Sequence, residues 1–587
     1  FFGLGTFLSY FCLVNRVPCN FSLYPMLLTS LVGIKPYACN HSVLGGQVTN
    51  LPSQCILIRL IKYLIYGAKP MSDYSCNFAT NKQFNHIRMK KKNIQTPVLS
   101  MAIAACMISH QQNARAGENP SLQNDSVPYV TMPDVSPKLT TGDGNPLLDF
   151  MFTADPTAVE YNGRIYVYAT NDQQQYDSIG GYGKNSYEYI KSLVMMSSDD
   201  MTNWTYHGII KTDSIAPWIQ TSWAPSIAKR EEADGKTHFY LYFSNSGGGT
   251  AVLTSTSPIG PWSSPLNHSL VDTNTPGIAG ECKAAFDPGV VIDDKGKGWL
   301  TVGGGCARIM RLGKDMISVD GPIKPIRAPH HFEANELNYI NGTYVYTYNI
   351  DWQDFSDWPL PTEKPTTCCM SYMTSKTPLV TKSWKYQHNY MKNPGDYGFD
   401  YSNNHTHLHK FRGKWYVFYH TMSLQHSFNT TAGFRNVCVD EIQVDENTVN
   451  IHMGNQTLKG VKQIQPMNPF IIQQAETTAA TQGVKFTNGK SIGDMYAVTV
   501  PNKTGIIAVR GVEFNKVPSS LEIKASGNGI IEVRRDRPDG EVIASIKVGT
   551  LQMKLIESQL QKNMTGTMDL CFVLKGNNIT FDEWKFK

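Results

Sequence analysis

The sequence predicts an all-β protein: a five-bladed β-propeller followed by a β-sandwich of jelly-roll type. Three observations carry this expectation: a pattern repeated five times between Asp155 and His420, tight-turn dipeptides inside the repeats, and a change of pattern after Pro469. The repeats are TADPTAVEYNGRIYVYAT, SWAPSIAKREEADGKTHFYLYFS, AFDPGVVIDDKGKGWLTVGG, HFEANELNYINGTYVYTYN and NNHTHLHKFRGKWYVFYH. Each opens on a polar or small residue, often beside Pro, and ends in an aromatic-rich strand. Asn162-Gly163, Asp234-Gly235 and Asn341-Gly342 lie between apolar runs, the strongest short-range hairpin signal, because both central residues of such a turn need positive φ. The interval of roughly 45 to 70 residues suits a four-stranded blade with loop insertions.

The chain has 587 residues, more than one core usually holds, so separate folded units are expected. Its 53 basic and 48 acidic residues nearly cancel, and no basic stripe supports a nucleic-acid partner. Met89, the run Lys90-Lys91-Lys92, the apolar stretch 97–108 and Ala114-Arg115-Ala116 read as a signal peptide over 89–116. Ile103-Ala104-Ala105-Cys106 also resembles a lipoprotein box, which keeps anchoring at Cys106 as the alternative to free export. Residues 1–88 read as an upstream segment outside the natural protein, with no apolar run of 18 residues. A linker over 117–140 then leads to the propeller, 141–465, and the C-terminal module, 470–587. Export permits disulfides; Cys282 and Cys306 are a candidate pair, while Cys368-Cys369 read equally as buried thiols.

Three of the repeats open on a carboxylate. The inner strands of a propeller surround one axis, so Asp155, Asp287 and Glu333 are expected to converge. Hydrolysis of a glycosidic bond needs two carboxyl groups in different protonation states, and a third nearby raises the pKa of the acid by like-charge repulsion.

The motifs FTADPTAVEYNGRIYVY, WAPSI, FDPGVVIDDKG, FEANELNYINGTYVYTY and NNHTHLHKFRGKWYVFYH, in this order over about 145–461, resemble glycoside hydrolase family 43. The resemblance implies a five-bladed propeller and inverting hydrolysis of arabinose- or xylose-containing polysaccharides. It casts Asp155 as the general base, Glu333 as the general acid and Asp287 as the residue that tunes and holds Glu333. One departure is Asn335, where the family often has Pro or Ser. Another is Glu336, a competing acid that strand alternation turns to the opposite side from Glu333. The related retaining fructosidases also use five blades, but their Trp-Met-Asn-Asp-Pro-Asn opening is absent.

Trp223 and Arg435 are the expected substrate-binding residues, one stacking on a sugar ring and the other holding hydroxyls or a carboxylate. Trp352, with Trp358, falls on a loop after the fourth repeat that would shape outer subsites. His405, His407 and His409 share one strand face without the convergent geometry of catalytic zinc. The resemblance places His405 near a calcium ion in the central cavity. No cofactor is expected for the chemistry.

The module shows short β-runs separated by Gly, Asn and Asp turns. QQAET, RGVEF and CFVLKGNNITFDEWKF resemble carbohydrate-binding module family 6, which implies structural calcium at Glu476 and Asp582. GTLQMKLIESQLQ lacks that family's stacking Trp, so sugar binding through Tyr496, Asn577 and Asn578 stands beside a plain packing role. The expected function is an exported, monomeric glycosidase that removes α-L-arabinofuranosyl side chains from arabinoxylan. A β-xylosidase or arabinan-degrading enzyme is the alternative, and a noncatalytic polysaccharide-binding protein is the alternative of another class.

Overall fold

The computed structural model describes residues 136–587. The expected signal peptide, Cys106, the upstream segment and most of the linker lie outside the described residues. Five antiparallel sheets follow in chain order. Blade one comprises β1 (Ala154–Tyr161), β2 (Arg164–Thr170), β3 (Ser192–Ser198) and β4 (Trp204–Lys211); blade two comprises β5 (Trp223–Glu231), β6 (Thr237–Asn245), β7 (Gly249–Ser255) and β8 (Val271–Asp272). Blade three is β9 (Gly289–Ile292), β10 (Gly298–Val302), β11 (Ala307–Arg311) and β12 (Lys324–Ile326). Blade four is β13 (His331–Ile340), β14 (Thr343–Ile350), β15 (Met370–Ser375) and β16 (Lys385–Met391), and blade five is β17 (Thr406–Phe411), β18 (Lys414–Thr421) and β19 (Asn436–Glu441).

The repeat is legible in the backbone. Asn162-Gly163, Asn341-Gly342 and Arg412-Gly413 all take positive φ at both positions, as the two-residue hairpin turn requires. Strands β3, β10 and β14 are buried along their whole length because neighbouring blades cover both faces. Ring closure is made by the chain entering blade one, where Leu147 N–H donates to Val437 O and Thr153 N–H to Arg435 O of blade five.

The end of the expected linker is structured. Pro137–Thr141 form a short helix, and Lys138 is buried with its ammonium on Pro146 O. The C-terminal module is joined firmly to the propeller: Thr477 and Thr478 pair with Thr205 and Trp204, adding a fifth strand to blade one. The Arg510 guanidinium donates to the carbonyls of Lys138, Gly142 and Asp143, and its backbone exchanges two bonds with the Asn203 side chain. Within the module the strands form one continuous eight-stranded sheet around a single apolar core. Three long strands, Ser520–Arg535, Val542–Gln559 and Gly566–Phe586, carry the hydrogen bonding through the bend. The bend needs Gly527 and Gly576, at φ 113° and 152°, where a Cβ would strike Asn578 O and Asn528 O.

Cys282 and Cys306 form a disulfide, and Cys368 and Cys369 are buried free thiols. Among the described residues no helix is long and apolar enough to cross a membrane.

Candidate active site

The inner strands of four blades begin with the same distortion. Asp155, Ala224, Asp287 and Ala334 are non-glycine residues at φ 49°, 43°, 52° and 58°, and three of them precede a Pro. In blades one, two and four the strand register shifts at this point. Such a conformation costs about 1–3 kcal/mol per residue and persists only where its surroundings impose it. The repeat uses two adjacent positions of this bulge. Asp155 and Asp287 occupy the left-handed position itself, whereas Glu333 and Trp223 stand one residue before it.

The surroundings that impose it come from the closing residues of neighbouring strands. Ala224 N–H donates to Thr170 Oγ1 at 2.8 Å, and Thr170 donates to Asp155 Oδ2 at 2.8 Å. Asp287 N–H donates to Ser244 Oγ at 2.8 Å, and Ala334 N–H to Asp287 Oδ2 at 2.8 Å. Asp155 N–H meets His420 Nδ1 at 3.2 Å, and His420 Nε2 lies 3.0 Å from Asn403 O. Nδ1 thus accepts from the Asp155 backbone, and Nε2 faces the Asn403 carbonyl. Thr170, Ser244 and His420 each close a repeat, so a polar residue at the end of an aromatic-rich strand is the sequence signal of these contacts.

Asp155 is 5% exposed, and burial alone would raise its pKa. The Arg435 guanidinium, with NH1 at 2.8 Å from Oδ1, overrides this with help from His420 and His405 and holds the carboxyl well below the usual range. Glu333 is pushed the other way, to about 7, by burial and then by the charge of Asp155. Asp287 is also raised, by burial first and then by Glu333 and Asp155, so Asp287 and Glu333 titrate as a pair. The three acids are thus brought into mutual electrostatic reach with one held ionised and the others favouring their protons.

Arg435 is held by two carboxylates of the protein itself. Its Nε and NH2 donate to Asp172 at 2.9 and 2.8 Å, its NH1 goes to Asp155, and its plane lies 4.7 Å from the Tyr187 ring centre. Three of the five guanidinium N–H groups thus go to protein carboxylates. Asp172, which no motif marked, also accepts from Asn185 Nδ2 and from Arg435 N–H. Trp223 is half-buried and donates from Nε1 to Tyr187 O. Trp352, 58% exposed, stands on the loop after β14, which returns to the end of the propeller where β13 begins.

Glu336 is buried away from the three acids. Its Oε2 lies 3.2 Å from His407 Nδ1, and His407 stacks on His409. The register shift at Ala334 pairs Glu333 with Asn349 and Glu336 with Thr347, two residues apart on β14, so the bulge cancels the expected alternation and the two acids are set apart along the strand rather than on opposite faces. Asn335 exploits its lack of a proline ring: Nδ2 donates to Gly303 O of blade three, and Oδ1 accepts from Tyr346.

Neither expected calcium position is a ready cage. Among the described residues no three His, Cys, Asp or Glu side chains are grouped to hold a metal. His405 is buried and lowered to about 4 by that burial, with Nδ1 3.6 Å from the committed Asp155. A calcium ion beside His405 would take most of its oxygens from water. In the module, Glu476 Oε2 is buried without a partner, an oxygen a cation would suit, but Asp582 Oδ2 already carries Lys524 Nζ at 2.8 Å.

Residues 144–449 match the profile of glycosyl hydrolases family 43. The chain belongs to this family. It is 34% identical over 487 residues to the arabinoxylan arabinofuranohydrolase of Bacillus subtilis, covering 76% of this chain and 92% of that protein. An arabinoxylan arabinofuranohydrolase of Paenibacillus polymyxa is 32% identical over 485 residues, 76% of this chain and 74% of that one. The crystal structure of a family 43 arabinoxylan arabinofuranohydrolase from Bacillus subtilis in complex with cellotetraose superposes with a TM-score of 0.71 at 34% identity, covering 76% of this chain and 98% of that one. This family 43 chain is a glycosidase of the arabinofuranosidase type.

Proposed function

We propose that this family 43 glycosidase removes α-L-arabinofuranosyl side chains from arabinoxylan with inversion of configuration. The observation that carries the reading is the opposed state of two acids in one funnel: Asp155 ionised against Arg435, Glu333 protonated by burial. Asp155 takes a proton from water as that water attacks the anomeric carbon. Glu333 gives its proton to the departing glycosidic oxygen, so the leaving main chain lies on its side. Asp287 holds the Glu333 backbone by accepting from Ala334 N–H. The names of two relatives that share three quarters of this chain support arabinoxylan as substrate. Arabinose release from arabinoxylan, with the nitrophenyl arabinofuranoside preferred over the nitrophenyl xyloside, is the expected result. Preference for the xyloside would overturn it.

Arg435 sets the acid limit of this mechanism and Asp172 sets Arg435. Asp172→Ala removes two bonds that orient the guanidinium and a third to the Arg435 backbone N–H. The Asp155 pKa is then expected to climb toward its ordinary value of about 3.9. An acid limb of kcat/KM appears near that pH, where the parent stays flat, and kcat falls ~10- to 100-fold from misplacement of the base.

We further propose that the enzyme is exported as a monomer, that the module contributes to polysaccharide contact, and that it holds calcium with Glu476 and Asp582, the ion displacing the Lys524 ammonium from Asp582. Burial raises Glu476 to about 8. An acid raised in the folded state stabilises fully below its unfolded pKa, and stability falls as pH rises from about 4.5 toward 8, at about 1.4 kcal/mol per unit. Thermal denaturation of calcium-free protein is expected to show this decline. Glu476→Gln removes it, and added calcium raises Tm only when Glu476 is present.

A further inference from the structure

A second cavity opens beside the acid, on the same end of the propeller. It holds about 400 Å³, within the size range of small-molecule sites, and is lined among others by Glu281, Arg308, Arg327, His330 and His331. Strand β12 ends there and the chain crosses to β13, so His331 lies only two residues before Glu333, roughly 7 Å along the backbone. Cys306, in the disulfide to Cys282, forms part of the wall, and Gly305 N–H donates to Phe332 O, tying that wall to the acid's strand.

The lining charges do not cancel. Arg308 is buried, fixed by Gly277 O and by a 2.8 Å ion pair to Glu281. Arg327 is exposed, and among the described residues it forms no hydrogen bond or ion pair. Asp357 approaches His330, at 3.7 Å from its Nε2, but the Asp357 side chain is itself largely in solvent. Two guanidinium groups therefore face a single cavity carboxylate. The rim is aromatic: the His330 ring stacks on Phe355 with centres 4.0 Å apart and on Trp358 at 5.9 Å. An aromatic rim suits a sugar ring, and a free planar guanidinium suits a carboxylate, which it takes with two parallel hydrogen bonds.

We propose that this cavity binds a hexuronic acid substituent of the polysaccharide main chain, with Arg327 as the ligand of its carboxylate. The proposal rests on the assignment of Glu333 as the acid, because the leaving main chain then lies on the side of this cavity. It adds a preference that the three acids cannot supply: main chains bearing a uronic acid close to the arabinosyl branch become better substrates.

The test compares two arabinoxylan oligosaccharides that differ only by one hexuronic acid, together with the methyl ester of the acidic one. Arg327→Gln is expected to lower kcat/KM on the acidic oligosaccharide about tenfold and leave the neutral one within about twofold. The ester on the parent protein should lose a similar factor, and Arg327→Lys should recover part of the activity. Equal effects on both oligosaccharides, or none, would overturn the proposal. Acetate and inorganic phosphate separate a sugar carboxylate from any small anion: abolition of the preference by either at low concentration would assign the site to free anions. Should the neutral oligosaccharide not be hydrolysed at all, the proposed function fails. Calorimetric binding of the acidic oligosaccharide to the parent and to Arg327→Gln still decides the cavity, since equal affinities reject it.

Discussion

Glu333→Ala is expected to reduce kcat on arabinoxylan by ~10²- to 10⁴-fold, the range of general acid catalysis. The loss should shrink on a nitrophenyl arabinofuranoside, whose leaving group departs with little need of a proton. A structural defect would lower both substrates alike, so the ratio identifies the acid. Glu336→Ala, in contrast, acts through the buried contact with His407 and should disturb stability more than this ratio. The pH profile gives a second signature. Glu333 is held at about 7 and works protonated, so activity is present below that pH and declines above it. Asp287 is raised by the charge of Glu333 and is still protonated when Glu333 titrates, so Asp287→Asn should leave this basic limb near its place.

Asp155→Asn is expected to be as damaging, again ~10²- to 10⁴-fold, but with no rescue by a better leaving group, since the lost step is the activation of water. It carries a distinct electrostatic consequence. The charge of Asp155 is the second cause, after burial, that raises Glu333. Its removal should therefore bring the basic limb below pH 7, while the Arg435–Asp172 pair remains to hold the fold of the loop. A basic limb that stays in place would separate the two carboxylates electrostatically and undo the account of their division of labour.

The propeller was legible because its signals are local and repeated. Asn162-Gly163 and Asn341-Gly342 announce hairpins by themselves, and five copies of one pattern fix the architecture. The three acids stand out for the same reason, at two adjacent positions where the inner strands begin. What stayed hidden depends on contacts between blades. Arg435 and Asp172 are 263 residues apart, and nothing in either neighbourhood forecasts their pairing. The left-handed conformation of Asp155 and Asp287 is imposed by Thr170, Ser244 and His420, which reach across from the ends of other strands. The role of Arg435 as a partner of Asp155 and Asp172 exists only once the ring is closed. The jelly-roll expectation captured the strands of the module, whereas the continuity of its sheet follows from three strands longer than the turn spacing suggested.

The central claim is that Asp155 activates water while Glu333 protonates the leaving oxygen, in one displacement without a covalent intermediate. Proton NMR of the first arabinose released from an α-L-arabinofuranosyl oligosaccharide, recorded before mutarotation, tests this most directly. The β-anomer is the predicted first product; initial appearance of the α-anomer would contradict the role of Asp155 as the base for water.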